Sequence, residues 1–183
     1  MRQNWAMASW RELGSHNFVL STSGELLDTG LVVGNERALV IDTGCGPRQG
    51  AEILSAVREI TALPLVVVNN HAHYDHFFGN AVFADAGALE FWAHENAANT
   101  MAQSGEAQRK CVNASSEPEM AANEGVAARL VLPNALVKDQ PVLVDLGGSA
   151  ATLFSLGRGH TDGDLLVGTS STVFSGDLVE QGS

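Results

Sequence analysis

Three short apolar runs, at 17–20, 30–34 and 37–42, open the chain; they are rich in β-branched residues and punctuated by Gly and Asn, which predicts β-strands. The Gly34-Asn35 pair between the second and third predicts a hairpin. Beyond Asp42-Thr43-Gly44-Cys45-Gly46-Pro47 the period changes. Ile53, Leu54, Val57 and Ile60 recur at helical spacing until Pro64 stops them, so an amphipathic helix is expected. The run at 65–68 is apolar at every position, as in a strand covered by helices on both faces. Strand, helix and strand together predict a right-handed crossover.

A further helix is expected to start near His76, a strand to cover 88–93, and one or two helices to lie within 95–128. Ser115 or Ser116 is the expected cap of the second, with Glu119 in its first turn. Strand patterns return at 130–132, 141–146, 151–156, 165–168 and 172–175. A short internal similarity sets 33–42 against 167–177: each reads as a hairpin that delivers an aspartate, Asp42 or Asp177, at a strand end. Two such halves predict an α/β fold of four layers, two β-sheets packed face to face with helices outside.

Composition narrows the class. A chain of 183 residues, 45% of them hydrophobic, suits one domain with a sizeable core. Its 10 Lys and Arg against 21 Asp and Glu leave a net charge of −11, which repels polyanions, so nucleic acid is not an expected partner. No apolar run reaches the roughly 20 residues of a membrane span, and the first residues lack the apolar stretch of a signal peptide. The expectation is a cytoplasmic protein with a small-molecule substrate and no membrane partner. Cys45 and Cys111 are too few for a disulfide scaffold and are read as reduced, inert thiols.

Three of the 6 histidines fall within His71-Ala72-His73-Tyr74-Asp75-His76, directly after the apolar run at 65–68. Neutral imidazole and carboxylate are ligands of zinc and other borderline divalent ions. Residues two apart in an extended segment point the same way, so His71 and His73 can share one ion. Asp75 and His76, turned by the start of a helix, would face a second. The cluster therefore predicts a dinuclear site. Asp42 reads either as the carboxylate that orients a ligating histidine or as a turn residue at a hairpin end.

The segment resembles the signature of the metallo-β-lactamase superfamily, HxHxDH after a strand. Asp42-Thr43-Gly44 is similar to that family's early strand end, Gly159-His160-Thr161-Asp162-Gly163-Asp164 to its GHTxGD segment, and Phe174-Ser175-Gly176-Asp177 to its FxGD strand end. The resemblance implies an αββα sandwich of two mixed sheets. It implies a first ion on His71, His73 and His160, a second on Asp75 and His76, and Asp177 bridging them. Two zinc ions per chain are the implied cofactors, with iron or manganese as alternatives. The family pattern carries one more histidine beyond the bridging aspartate, whereas none follows His160 here. The chain is accordingly expected to be a single such domain over residues 1–183 that lacks the closing strand and helix elements.

The expected activity is metal-dependent hydrolysis, in which hydroxide held between two ions attacks an ester, thioester, lactone or lactam carbonyl and Asp75 orients it and carries its proton. Aspartate rather than cysteine at position 177 is more similar to glyoxalase-II-type thioesterases and lactonases than to zinc β-lactamases with a cysteine ligand. Two alternatives stand beside it: a single-iron enzyme that oxidises persulfides, and an inactive truncated fragment that binds metal. Phe77, Phe78, Phe83 and Trp92 either line a substrate pocket or fill the core. Trp5 and Trp10 belong either to a loop over the cleft or to a segment packed on the sheet.

Overall fold

A seven-stranded and a four-stranded sheet organise the chain, whose computed structural model describes residues 9–22 and 27–179. The large sheet runs β1 (Arg11–Gly14), β2 (Asn17–Ser21), β3 (Asp28–Val33), β4 (Ala38–Ile41), β5 (Leu65–Val68), β6 (Phe91–His94) and β7 (Ala135–Val137) in that spatial order. Its first four strands pair antiparallel and its last four parallel, with α1 (Pro47–Ile60) forming the crossover from β4 to β5. The small sheet is antiparallel, ordered β11 (Val173–Phe174), β10 (Leu166–Gly168), β9 (Ala150–Phe154) and β8 (Val142–Asp145).

Alternation along the central strands explains the layering. Ala38 and Val40 of β4, with Leu65 and Val67 of β5, turn to one face and meet Ile53 and Val57 of α1. Leu39, Ile41, Val66 and Val68 turn to the other and pack against Val144, Ala151, Leu153 and Val167 of the small sheet. β5 is thus buried on both faces as its apolar run requires, but one face is covered by the second sheet rather than by a helix. A third cluster, around Phe77, Phe78, Met101 and Met120, lies beneath α4 (Glu95–Gln108) and α5 (Pro118–Ala122). Among the described residues no helix covers the outer face of the small sheet, where Leu143 and Val173 are exposed. None is long and apolar enough to cross a membrane.

Several boundaries move for local reasons. The strand expected at 130–132 forms instead at Ala135–Val137. Pro133 has no N–H to give a ladder, and the pairing with β6 begins only after Asn134 has bonded the Phe91 backbone on both sides. β1 escaped the pattern because three of its four residues are exposed, as suits an edge strand. Trp10 packs on Phe18 and donates its indole N–H to the Ala56 carbonyl, so it joins the core beside α1. Trp5 lies outside the described residues. Phe77, Phe78 and Phe83 are wholly buried and Trp92 packs into the intersheet core.

Neither Ser115 nor Ser116 caps α5. Pro118 occupies its first turn, and the preceding Glu117 is turned to a different task. The buried Glu117 carboxylate accepts the backbone N–H groups of Arg48 at 3.0 Å and Gln49 at 2.6 Å, capping α1 from a remote segment. The cap position of α1 itself is Gly46, where a Cβ would stand 2.6 Å from that carboxylate. A distant residue replaces the missing local cap and ties α5 to α1. Glu117→Ala should cost about 1–3 kcal/mol, since two buried donors lose their partner. Urea unfolding of the purified variant beside the parent chain measures the loss.

Candidate metal centre

The loop after β5 carries the candidate ligands on a rigid mount. The His76 carbonyl accepts bonds from the Thr43 N–H and the Asn69 amide, both at 2.9 Å. Asn80 donates to Asn69 Oδ1 at 2.8 Å and accepts from the Thr43 hydroxyl at 2.8 Å. Asn69, Asn80 and Thr43 are completely buried, so this network holds α2 (Tyr74–Phe77) against the end of β4 inside the protein.

All six sequence-predicted ligands converge. His71 Nε2 lies 3.0 Å from His73 Nδ1, and His160 Nε2 lies 3.1 Å from that same atom. Asp177 Oδ2 stands 3.7 Å from both His71 Nε2 and His160 Nε2. One donor atom from each of these four residues falls within 4.8 Å of the others. A tetrahedron of nitrogens about 2.0 Å from a zinc ion has edges of about 3.3 Å; the separations of 3.0, 3.1 and 3.7 Å bracket that length, and the wider pairs would have to draw in for the set to close on one ion. Four lone pairs aimed at one point repel unless a proton or cation separates them. The second oxygen of Asp177, Oδ1, faces away, 3.5 Å from His76 Nε2, which is itself 3.6 Å from Asp75 Oδ2. Asp177 therefore reaches two donor groups, one oxygen to each.

Partners behind the rings decide which nitrogens are available. His76 Nδ1 is 2.9 Å from Asp42 Oδ2, so the neutral ring, the form that can bind a cation, holds its proton on Nδ1 and presents Nε2 to the site. His71 Nδ1 is 2.8 Å from Asn70 Oδ1, which leaves Nε2 free in the same way. Asp42 lies at the end of β4 with φ of 65° and also accepts the Asn70 N–H at 2.9 Å. Its side chain orients His76 and stands behind it. Asp177 hangs from the turn after β11, where Gly176 has φ of 52° and its Cα lies so near the Asn70 amide that a Cβ would collide. The His160 loop is closed by Asp164, whose carboxylate accepts the Thr161 N–H and hydroxyl. Asn69, Asn70, Asn80 and the role of Asp164 were missed in the sequence; paired asparagines at the end of a buried strand were the available signal. Cys45 is buried in the Gly44 turn and Cys111 is exposed, both apart from the donor cluster.

The family model of the metallo-beta-lactamase superfamily matches residues 27–183. The chain belongs to this superfamily. Acyl-coenzyme A thioesterase MBLAC2 of Bos taurus is 31% identical over 177 residues, covering 88% of this chain and 61% of that protein. The Homo sapiens protein of the same name is 29% identical with the same coverage. The chain thus spans less than two thirds of the length of these curated relatives. The class B3 di-zinc metallo-beta-lactamase LRA-12 from an Alaskan soil metagenome superposes with a TM-score of 0.65 at 16% identity, over 90% of this chain and 60% of that one. FEZ-1 metallo-beta-lactamase from Legionella gormanii gives 0.64 at 14%, over 91% and 61%. At these identities the likeness shows the shared fold, two face-to-face sheets with helices.

Within this superfamily scaffold the protein groups alone set unusual proton affinities. Burial would lower His76, but the carboxylates of Asp42, Asp177 and Asp75 override it and raise the ring to about 10. Burial and then the His76 charge push His71 down to about 2. The protonated His76 beside Asp177 holds that carboxyl down at about 2. An unfolded histidine titrates near 6.5. His76 therefore lends the metal-stripped fold its full stabilisation below about 6.5, and that contribution is lost as pH climbs through about 10. Chelated protein should show urea midpoints that fall between pH 6.5 and 10, and His76→Gln should flatten that fall.

Proposed function

We propose that the chain is a metal-dependent acyl hydrolase whose substrate is a small thioester. The observation that carries this reading is the placement of Asp177, with one oxygen toward His71 and His160 and the other toward His76. In this reading His71, His73 and His160 hold a first zinc ion, Asp75 and His76 a second, and Asp177 is shared. Ions held there supply the Lewis acidity that activates water and polarises an acyl carbonyl near neutral pH.

The chain's own residues contribute position and proton handling. Asp42 keeps the His76 proton on Nδ1, so Nε2 faces the site in the ligating form. Asp75 lines the cavity beside the centre with a partly exposed carboxylate, where it can orient a water and take its proton. That cavity, of about 670 Å³, has room for an acyl group and part of its carrier. The thioester class is supported by the acyl-coenzyme A thioesterases that this chain resembles at 31% and 29% identity. The net charge of −11 argues against nucleic acid as the substrate.

The test is thiol release from a series of acyl-coenzyme A esters by zinc-loaded protein. Turnover should vanish on rigorous chelation and return with zinc. Asp75→Asn should lower kcat by about 10²–10⁴-fold. Asp42→Ala should weaken zinc binding about 10–100-fold, read by competition with a chromogenic chelator. Oxygen uptake with a persulfide and bound iron would replace this reading by the oxidative one. Bound metal with no turnover of any thioester, lactone or lactam would reduce the chain to a metal-binding fragment.

A further inference from the structure

The cavity beside the donor cluster extends from it to the edge of the large sheet. Asp75, His76 and Asp177 line its inner end, while Arg11 and Leu13 of the edge strand β1 line its outer end. Register places them on one floor. Arg11 pairs with Val19, Val19 with Gly30, and Gly30 with Ile41, so these four form a single row across β1 to β4 that points toward the small sheet. Ile41 is the residue before Asp42. Three interstrand steps of about 4.8 Å set the Arg11 backbone about 14 Å from that of Ile41. The floor between is apolar: Val19 and Ile41 from the row, with Phe174 lying over Gly30, where a Cβ would stand 2.8 Å from its ring.

Among the described residues Arg11 is the only Lys or Arg that lines this cavity, against the carboxylates of Asp28, Asp42, Asp75 and Asp177. Those carboxylates are engaged elsewhere. Asp28 accepts the Ser21 hydroxyl at 2.5 Å, Asp42 accepts from His76 and Asn70, and Asp75 and Asp177 turn toward His76. Among the described residues Arg11 has no ion-pair partner; Arg48, Arg58 and Lys110 share that state but do not line this cavity. An exposed guanidinium without an ion pair, lining a cavity otherwise edged by carboxylates, is the one group there that can donate a fork of N–H bonds to a planar or tetrahedral anion.

We infer that Arg11 is the specificity-determining residue of this site and that it selects an acyl thioester with a carboxylate or phosphate on the order of 10 Å from the scissile carbonyl. The apolar floor accepts the methylene chain that joins the two. The inference rests on the acyl-hydrolase reading above and adds the substrate class. The anion is either a terminal carboxylate on the acyl chain or a phosphate on the thiol carrier. Both present acceptor oxygens to the same fork.

The experiment pairs substrates that differ in one charge. Thioesters of N-acetylcysteamine, a neutral carrier, are made with a six-carbon acyl chain ending either in carboxylate or in methyl ester. The corresponding neutral acyl group is also placed on coenzyme A. For each, kcat/KM is measured with the zinc-loaded parent chain, Arg11→Gln, Arg11→Glu and Arg11→Lys. The ratio of anionic to neutral kcat/KM should fall about tenfold in Arg11→Gln, fall further in Arg11→Glu, and return in part in Arg11→Lys. Loss confined to the carboxylate acyl chain assigns the anion to the acyl side, and loss confined to coenzyme A assigns it to the carrier. The control Glu12→Gln changes the net charge by one but is not a cavity residue, and it should leave the ratio in place. A ratio unchanged in Arg11→Gln, or changed equally by Glu12→Gln, overturns the inference. Should no thioester turn over, the hydrolase reading fails on its own. Calorimetric binding of hydrolysis-resistant thioether analogues of the same pairs then decides Arg11, by whether Arg11→Gln erases the preference for the anionic analogue.

Discussion

A single buried ion pair sets the geometry of the centre. Asp42 and His76 are both sealed from solvent, and a carboxylate in that position is tolerable only with its acceptor capacity filled. One oxygen takes the His76 ring N–H, the other the Asn70 backbone N–H. That one side chain therefore joins the end of β4, the loop after β5 and the first turn of α2. Removing it would leave a buried imidazole and a buried amide without partners, so the centre and the edge of the core stand or fall together.

The repeated hairpin motif acquires a physical meaning in this light. β3 and β4 deliver Asp42 from the large sheet, and β10 and β11 deliver Asp177 from the small one. His76 stands between them, with Nδ1 on Asp42 and Nε2 3.5 Å from Asp177. The face-to-face packing of the sheets thus brings two carboxylates to opposite edges of one imidazole ring. Their distances depend on the intersheet core of residues such as Val66, Val68 and Leu153.

Much of this was legible in the chain. The continuous apolar run of β5, the helical period of α1 and the hairpins rest on strong local patterns, and the HxHxDH spacing brought His71, His73, Asp75 and His76 together from sequence alone. His160 and Asp177 could be assigned only through the family resemblance, because nothing local says that residues about a hundred positions away return to the same point. What stayed hidden was of two kinds. The edge strand β1 has no apolar alternation to announce it, since its residues are paired through backbone groups and remain largely open to solvent. Long-range polar contacts leave no period at all: Glu117 capping α1, or Asn80 holding Asn69, are satisfied buried groups whose partners are separated widely in the chain.

Asp177 sits on a short turn after the two-residue strand β11, at the outer margin of the small sheet, with little of its own packing to anchor it. Of the histidines it faces, His71 and His76 lie in the loop and helix that follow β5, at the parallel centre of the large sheet. An ion shared by Asp177 and His71 would close a covalent-like loop of roughly a hundred residues, and the chain entropy removed from the unfolded ensemble by such a closure grows with loop length. Loading the centre is then also a topological event. It would draw a margin whose last turn buries no residue into a closed circuit, so that β11 could detach only by giving up the Asp177 share of the ion.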